Sequence, residues 1–382
     1  MPKPVLVVLD AHYFWTRELF SNCSGEFDVL LLKPRDFRAQ KAELGKYCYQ
    51  HAPKFVSNGV WEQHIPMPPG WLFNFWFISA RFIARSIKKF AGNRPITLVY
   101  CYPYYASLAK LFPCKSVYYS IDDYNDYWPG REAQTALLEK HCVEMADACV
   151  CVSDYRTQLF RGYKQHQPER ILHLPHGCHR EFMVEAPLLQ PLPLKENLQA
   201  FNRPVCGYIG ALNNRFDFPF LAEVAAKLPD IQFVLGGTEP NPGDGSSQWY
   251  TGYKLCVTRD NVHFMGRIPH DQVGKTLQSF DVLLMPYAKC AFNTSACPMK
   301  LWDYMGTSRP VVANDAVPEV LLWQHVIHIG TEPAEFAAKI EESLADPSWM
   351  AQARLEIARD NTWKNQAERL CSFLPQQGLL AF

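Results

Sequence analysis

Apolar residues along this chain come in short, nearly unbroken runs separated by stretches of helical period. In the first half the runs are residues 5–9, 29–32, 97–100, 117–120, 148–152 and 171–174. Runs with so few polar positions suit strands buried on both faces of a parallel sheet. Helical spacing fills several of the gaps, notably 71–90 and 131–146. From about Glu185 to Pro204 the pattern lapses into a proline-rich stretch ending "NRP", which reads as a linker. It then restarts, with strands expected at 205–209, 232–235, 262–264, 282–285, 311–313 and 325–328. Helices are expected at 217–228, 270–280, 334–344 and 349–373. Asp217 suits an N-cap, with Pro219 in the first turn, where its missing N–H costs nothing.

A chain of 382 residues exceeds what one hydrophobic core usually organises. Two successive α/β segments therefore predict two Rossmann-like domains facing a cleft. The expected division is residues 1–184, a linker at 185–203, a second domain at 204–360, and a C-terminal helix at 361–382 packing back on the first domain. The composition, 48% hydrophobic and 20% charged, is that of a globular protein, and zero formal net charge argues against nucleic acid as a partner. Thirteen cysteines form no CxxC pair and suggest reduced thiols in a cytoplasmic compartment. "HLPHGCH", from His173 to His179, lacks a second ligand pair, so no metal site is expected. The opening "MPKPVLVVLDAH" enters a strand at once, and no signal peptide is expected.

The order of motifs resembles the GT-B glycosyltransferases. "GYIGALNNRFDFPFLAEVAAKLPDIQFVLGG" looks like the opening strand, glycine turn, helix and second strand of their C-terminal domain, and "CPMKLWDYMGTSRPVVAND" looks like their donor-site helix. "DAHYFWTR", "YYSIDDYN", "HLPHG" and "PMKLWDYMG" are similar to the xanthan-type β-glucuronosyltransferase and related bacterial polysaccharide enzymes. The resemblance implies an α/β GT-B fold, a nucleotide-sugar donor, UDP-linked by preference, a glycan or lipid-linked acceptor, and no cofactor.

A nucleotide sugar carries a diphosphate and a ribose. Lys300 at a helix N-terminus would meet the phosphates, where free N–H groups already favour an anion. Asp303, one turn along, would accept from the ribose hydroxyls; the family usually has Glu there. Gly210 and Ala211 follow the first strand of the second domain, where a bare backbone lets a phosphate approach. Arg215 is a second candidate for the diphosphate, Tyr287 for the base or donor loop, and Asn293, Thr294 and Met299 for the loop feeding the Lys300 helix. An ordinary surface Lys–Asp pair, a surface arginine and a packing tyrosine would look the same in sequence. Many retaining relatives carry an acid where this chain has Ser295, which points to inversion. Inversion needs a carboxylate on the acceptor hydroxyl. The resemblance places it at Asp122, with Asp123 as neighbour; His12, after the first strand, is a further candidate. His176 is read as a hinge or cleft residue.

"WLFNFWFISARFIARSIKKF" begins at Trp71 and ends at Phe90. It is either a core helix or an amphipathic one making a peripheral membrane contact, with Arg81, Arg85 and Lys88 toward anionic headgroups. Two other functions stay open: a GT-B sugar-nucleotide epimerase, and a catalytically silent nucleotide-sugar-binding protein.

Overall fold

The computed structural model describes residues 2–45, 50–128, 130–193, 204–243 and 245–379. The chain forms two compact units. The first holds residues 1–175 and 363–382, the second 176–362.

The first unit is built on eight strands: β1 (Val5–Val8), β2 (Asp28–Asp36), β3 (Lys54–Ser57), β4 (Val60–Met67), β5 (Ile96–Tyr100), β6 (Lys115–Ser120), β7 (Ala148–Cys151) and β8 (Ile171–His173). Their order is β3-β4-β2-β1-β5-β6-β7-β8, parallel except for the β3–β4 pair. Val5–Val8 are all fully buried and pair with both β2 and β5. The chain thus starts in mid-sheet, builds one side, then crosses to the other. The crossing puts a topological switch point at the carboxyl ends of β1 and β5, where doubly wound sheets bind ligands. The helix Trp363–Gln376 packs on the helix Phe14–Ser21 of this unit.

The second unit has six parallel strands: β9 (Val205–Ile209), β10 (Gln232–Gly236), β11 (Val262–Phe264), β12 (Val282–Met285), β13 (Val311–Ala313) and β14 (His328–Ile329). The order is β11-β10-β9-β12-β13-β14, with its switch point between β9 and β12. Asp217 caps the helix Phe218–Lys227, its carboxylate accepting from Phe220 N–H at 3.0 Å.

Several boundaries differ from the sequence reading. The units divide at His176, not in the proline-rich stretch. Residues 194–203 of that stretch lie outside the described residues. The part before them is anchored on the second unit: Leu188 N–H donates to Ser308 Oγ at 2.7 Å and Leu192 N–H to Gln278 O at 2.9 Å. The stretch 349–373 is two helices, Ser348–Asp360 and Trp363–Gln376, because Asn361 gives its carbonyl to Cys178 N–H at 2.7 Å instead of continuing the helix. The helix expected from Trp71 starts at Trp76. Gly70, at φ 70°, opens a turn that swings Trp71 inward onto Tyr105. Residues 322–327, where the last strand was expected to begin, continue in turns after the short helix Pro318–Leu321, so β14 starts only at His328.

Gly207, in the middle of β9, shows how tightly the second sheet is packed, since a Cβ there would overlap the Phe280 ring. Gly207→Ala should destabilise the second unit by about 1–3 kcal/mol through overpacking. Urea unfolding followed by tryptophan fluorescence would read this as a lower midpoint for that unit.

Candidate functional site

Lys300 is the second residue of the helix Met299–Gly306, whose N-cap, Pro298, provides no side-chain cap to the first-turn N–H groups. Leu301, Trp302, Tyr304 and Met305 bury the helix against the sheet, and the Tyr304 hydroxyl accepts from Ile209 N–H at the end of β9. This seating lays the Lys300 stem across the glycine turn after β9. A Cβ on Gly210 would overlap Lys300 Cε and Nζ. The ammonium stands 5.2 Å from the centroid of the Tyr208 ring, whose hydroxyl donates to Ala211 O at 3.0 Å. Among the described residues no carboxylate pairs with Lys300. Burial pushes the Tyr287 phenol up, and the Lys300 and Arg215 cations oppose that shift. The Arg215 guanidinium lies over the Phe292 ring, 3.2 Å from its centroid. Gly210, Ala211, Arg215, Tyr287 and Lys300 thus share the carboxyl-end region of β9 and β12.

Other candidates in this unit are tied into the protein. Asp303 is buried, and its Oδ1 accepts from both the backbone N–H of His179, at 3.0 Å, and the His179 ring, at 2.8 Å. It braces the start of the unit against the Lys300 helix. Asn293 is buried, and its amide donates to Arg215 O at 3.0 Å and Ala288 O at 2.7 Å, clamping the loop that carries Arg215. Thr294 Oγ1 donates back to Cys290 O at 3.1 Å. Met299 is half-buried in the first turn. Asn314, which the sequence reading did not single out, holds Tyr287 through its backbone, accepting from Tyr287 N–H at 3.2 Å and donating to Tyr287 O at 2.7 Å. His176 is buried, and desolvation, with help from His179, holds its imidazole down at about 3.

In the first unit Asp122 and Asp123 follow β6. Both are half-buried, but their partners differ. Asp122 Oδ2 accepts from the Tyr127 hydroxyl at 2.5 Å. Asp123 accepts from Asn125 N–H and lies 3.9 Å from the buried Arg156 guanidinium, which is itself bonded to Glu139. Asp123 is thereby committed to a turn and a cation. His12 is a poor proton acceptor. Desolvation, then the Arg35, Lys33 and His64 charges, lower its imidazole to about 4.

Asp10 was not among the sequence candidates. It follows β1 at the switch point, at φ 56°, a backbone conformation uncommon for a residue with a side chain. It is 1% exposed; Oδ1 accepts from the Tyr105 hydroxyl at 2.9 Å, while Oδ2 is buried with no partner among the described residues. Burial raises its carboxyl to about 8, with the Tyr105 bond opposing. An acidic residue directly after the first strand was the available signal.

The family profile "Glycosyl transferases group 1" matches residues 203–346. Over 290 residues the chain is 23% identical to TuaH of Bacillus subtilis (strain 168), assigned by name to teichuronic acid biosynthesis as a glycosyltransferase; the match spans 72% of this chain and 70% of that protein. Among solved structures, Anabaena Alr3699/HepE in complex with UDP superposes at a TM-score of 0.72 with 12% identity, covering 98% of this chain and 100% of the other. A trehalose-6-phosphate protein from E. coli bound with UDP-2-fluoro glucose gives 0.71 with 11% identity over 97% and 99%. Sucrose-phosphate synthase from Thermosynechococcus elongatus gives 0.68 with 15% identity over 98% and 99%.

The Asp10 environment makes stability pH-dependent. Its folded value lies above the unfolded one, so its contribution is complete below about pH 4 and is lost as pH rises through about 8. Asp10→Asn keeps the acceptor for Tyr105 and cannot ionise. Thermal unfolding between pH 5 and 8 should show a shallower decline for Asp10→Asn than for the parent. The chain has the GT-B fold, and its second unit carries a Glycosyl transferases group 1 domain at residues 203–346.

Proposed function

We propose that this protein transfers a sugar from a UDP-linked donor to a glycan or lipid-linked acceptor in bacterial surface polysaccharide synthesis, with inversion at the anomeric carbon. The observation that carries the reading is the half-buried Lys300 ammonium, held on the bare backbone of Gly210 beside a helix N-terminus and lacking a carboxylate partner among the described residues. A half-desolvated cation left so is costly unless an anion completes it. A diphosphate does this through charge-assisted bonds and uncapped N–H groups. The UDP complex of HepE and the teichuronic acid biosynthesis in the name of TuaH support the donor and the pathway class. Arg215 is the second phosphate ligand, and Tyr287 borders the site. Asp303 reaches a ribose only with the oxygen not used by His179.

Asp122 is the general base. As the acceptor hydroxyl attacks, its proton passes to the carboxylate; the bond to the donor phosphate breaks and the leaving diphosphate takes the electron pair. Tyr127 orients the carboxylate through Oδ2.

The protein works at the inner face of the cytoplasmic membrane. The helix Trp76–Ala91 buries Ser79, Ala80, Ile83, Ala84 and Ile87 on one stripe, as a core helix does. Its other side leaves Phe77 70% and Ile78 68% exposed beside Arg81 and Arg85. An apolar face flanked by cations suits an anionic lipid surface. Among the described residues no helix is long and apolar enough to cross a membrane.

Three experiments test these assignments. Lys300→Ala should weaken UDP binding in calorimetry by ~10-fold or more, whereas Asp122→Asn should bind UDP normally and lose transfer by a factor on the order of 10²–10⁴. Unchanged UDP affinity in the first, or parental turnover in the second, removes the corresponding role. Replacing Phe77 and Ile78 by Ser, with Arg81 and Arg85 by Glu, should abolish sedimentation with phosphatidylglycerol vesicles and leave UDP affinity unchanged.

A further inference from the structure

The segments that follow β4, β5 and β6 gather aromatic rings beyond the carboxyl edge of the first sheet. Phe73 comes from the turn after β4, Tyr102 and Tyr104 from the segment after β5, and Tyr124, Tyr127 and Trp128 from the segment after β6. Trp128 is the hub. Its ring meets those of Tyr104 at 5.0 Å, Tyr102 at 5.5 Å and Phe73 at 5.7 Å, edge to face each time, and lies 6.1 Å from those of Tyr124 and Tyr127. Phe73 and Tyr104 also meet each other edge to face at 5.0 Å. Rings packed in this way fix one another's planes.

Two features separate the group from an ordinary core. The first is exposure. Tyr102 and Tyr124 are buried, whereas Phe73, Tyr104 and Trp128 are half-buried and Tyr127 is exposed. Rings held rigidly at the surface gain further burial only from a partner. The second is the polar rim. The Tyr127 hydroxyl donates to Asp122 Oδ2 at 2.5 Å. The Tyr104 hydroxyl shares a hydrogen bond with Thr135 Oγ1 at 3.1 Å. The Arg131 guanidinium lies over the Phe73 ring, 4.5 Å from its centroid. A lipid tail makes no use of such a rim. A pyranose matches both parts: its C–H face is weakly electropositive and suits the negative face of an aromatic ring, and its hydroxyls suit the rim. Tyr127 joins the two, since its ring belongs to the aromatic group and its hydroxyl holds Asp122.

We propose that Phe73, Tyr104, Tyr127 and Trp128 form the acceptor subsite of the first unit, and that it binds a pyranose ring by its apolar face, stacked on Trp128 foremost. A sugar seated there lies beside the Asp122 carboxylate and presents its attacking hydroxyl to it. This rests on the glycosyltransferase reading with Asp122 as base. It adds that the acceptor ends in a sugar ring and that Trp128 selects it.

The test uses the full chain with UDP at saturation. Methyl pyranosides of glucose, galactose, mannose and N-acetylglucosamine are titrated in, and saturation-transfer NMR reads which ligand protons touch the protein. Sorbitol, with hydroxyls but no ring, is the polar control. Dodecylphosphocholine below its micelle concentration is the lipid probe. At least one pyranoside should bind the UDP-loaded parent, with saturation greatest on the C–H protons of one ring face. Trp128→Leu keeps apolar bulk and removes the aromatic face, and it should weaken that pyranoside by about 10-fold. Trp128→Phe should recover part of the loss, and UDP affinity should stay unchanged in both. Should Trp128→Leu not fold, Phe73→Leu should weaken the pyranoside in the same direction. The subsite is overturned if no pyranoside binds the parent, if sorbitol binds as well as the pyranosides, or if the variants bind as the parent does. Dodecylphosphocholine that binds in a Trp128-dependent way where the pyranosides do not assigns the rings to lipid and overturns it too. A parent that binds a pyranoside but not UDP refutes the donor assignment and leaves this subsite standing.

Discussion

The Lys300 ammonium occupies the space that a side chain on Gly210 would fill, and the architecture of the second unit converges on that contact. For the stem to lie there, the helix Met299–Gly306 must seat closely on the end of β9. Burial of Leu301, Trp302 and Met305 drives the seating, and the Tyr304 bond to Ile209 N–H sets its register. Asp303 fastens the same helix to the first residues of the unit through His179. Asn293 and Asn314 then fix the loops bearing Arg215 and Tyr287 by bonding to backbone rather than to one another. A charged group is thus held in a half-dry position by neutral and apolar neighbours. On the proposed reading, that arrangement preorganises a site for the donor diphosphate at a cost in stability that the bound anion offsets.

Three aspartates near the carboxyl edge of the first sheet show how environment divides one side-chain type into different roles. Asp10 is sealed in and shifted toward its protonated form, so it serves the structure as a neutral partner of Tyr105. Asp123 faces a buried guanidinium and caps a turn. Asp122 is half-buried and accepts from the Tyr127 phenol. Both neighbours follow the end of β6 at Ser120, and successive side chains on extended backbone leave in different directions.

The legible parts of the sequence were those with a local cause. Strands β9, β11, β12 and β13 were read to the residue, because short, mostly apolar runs bounded by turn residues suit a doubly covered parallel sheet. The Asp217 cap was equally plain, being settled within one turn. Strands β3 and β4 were missed because "KFVS" is wholly exposed and "VWEQHIPM" carries polar residues, as strands toward a sheet edge do. The helices Phe37–Leu44, Asp154–Tyr163 and Ser247–Val257 were missed as well; short, mixed segments show no clean apolar stripe until something packs on them.

Site chemistry divided along the same line. The sequence by itself determined which residues could carry charge at strand ends: Lys300, Arg215, Asp122, and the glycine turn at Gly210. Only the tertiary structure decided which of these charges were already spent. Asp303 meets His179, 124 positions away in the chain, and so becomes a brace. Asp10 becomes a sealed acid because Tyr105 and the sheet enclose it, and Lys33 meets the Glu62 carboxylate only when β2 pairs with β4. Propensity and period act within a turn or a strand. Burial, pairing and desolvation depend on residues far apart in sequence, and they set whether a polar group is left free to meet a ligand.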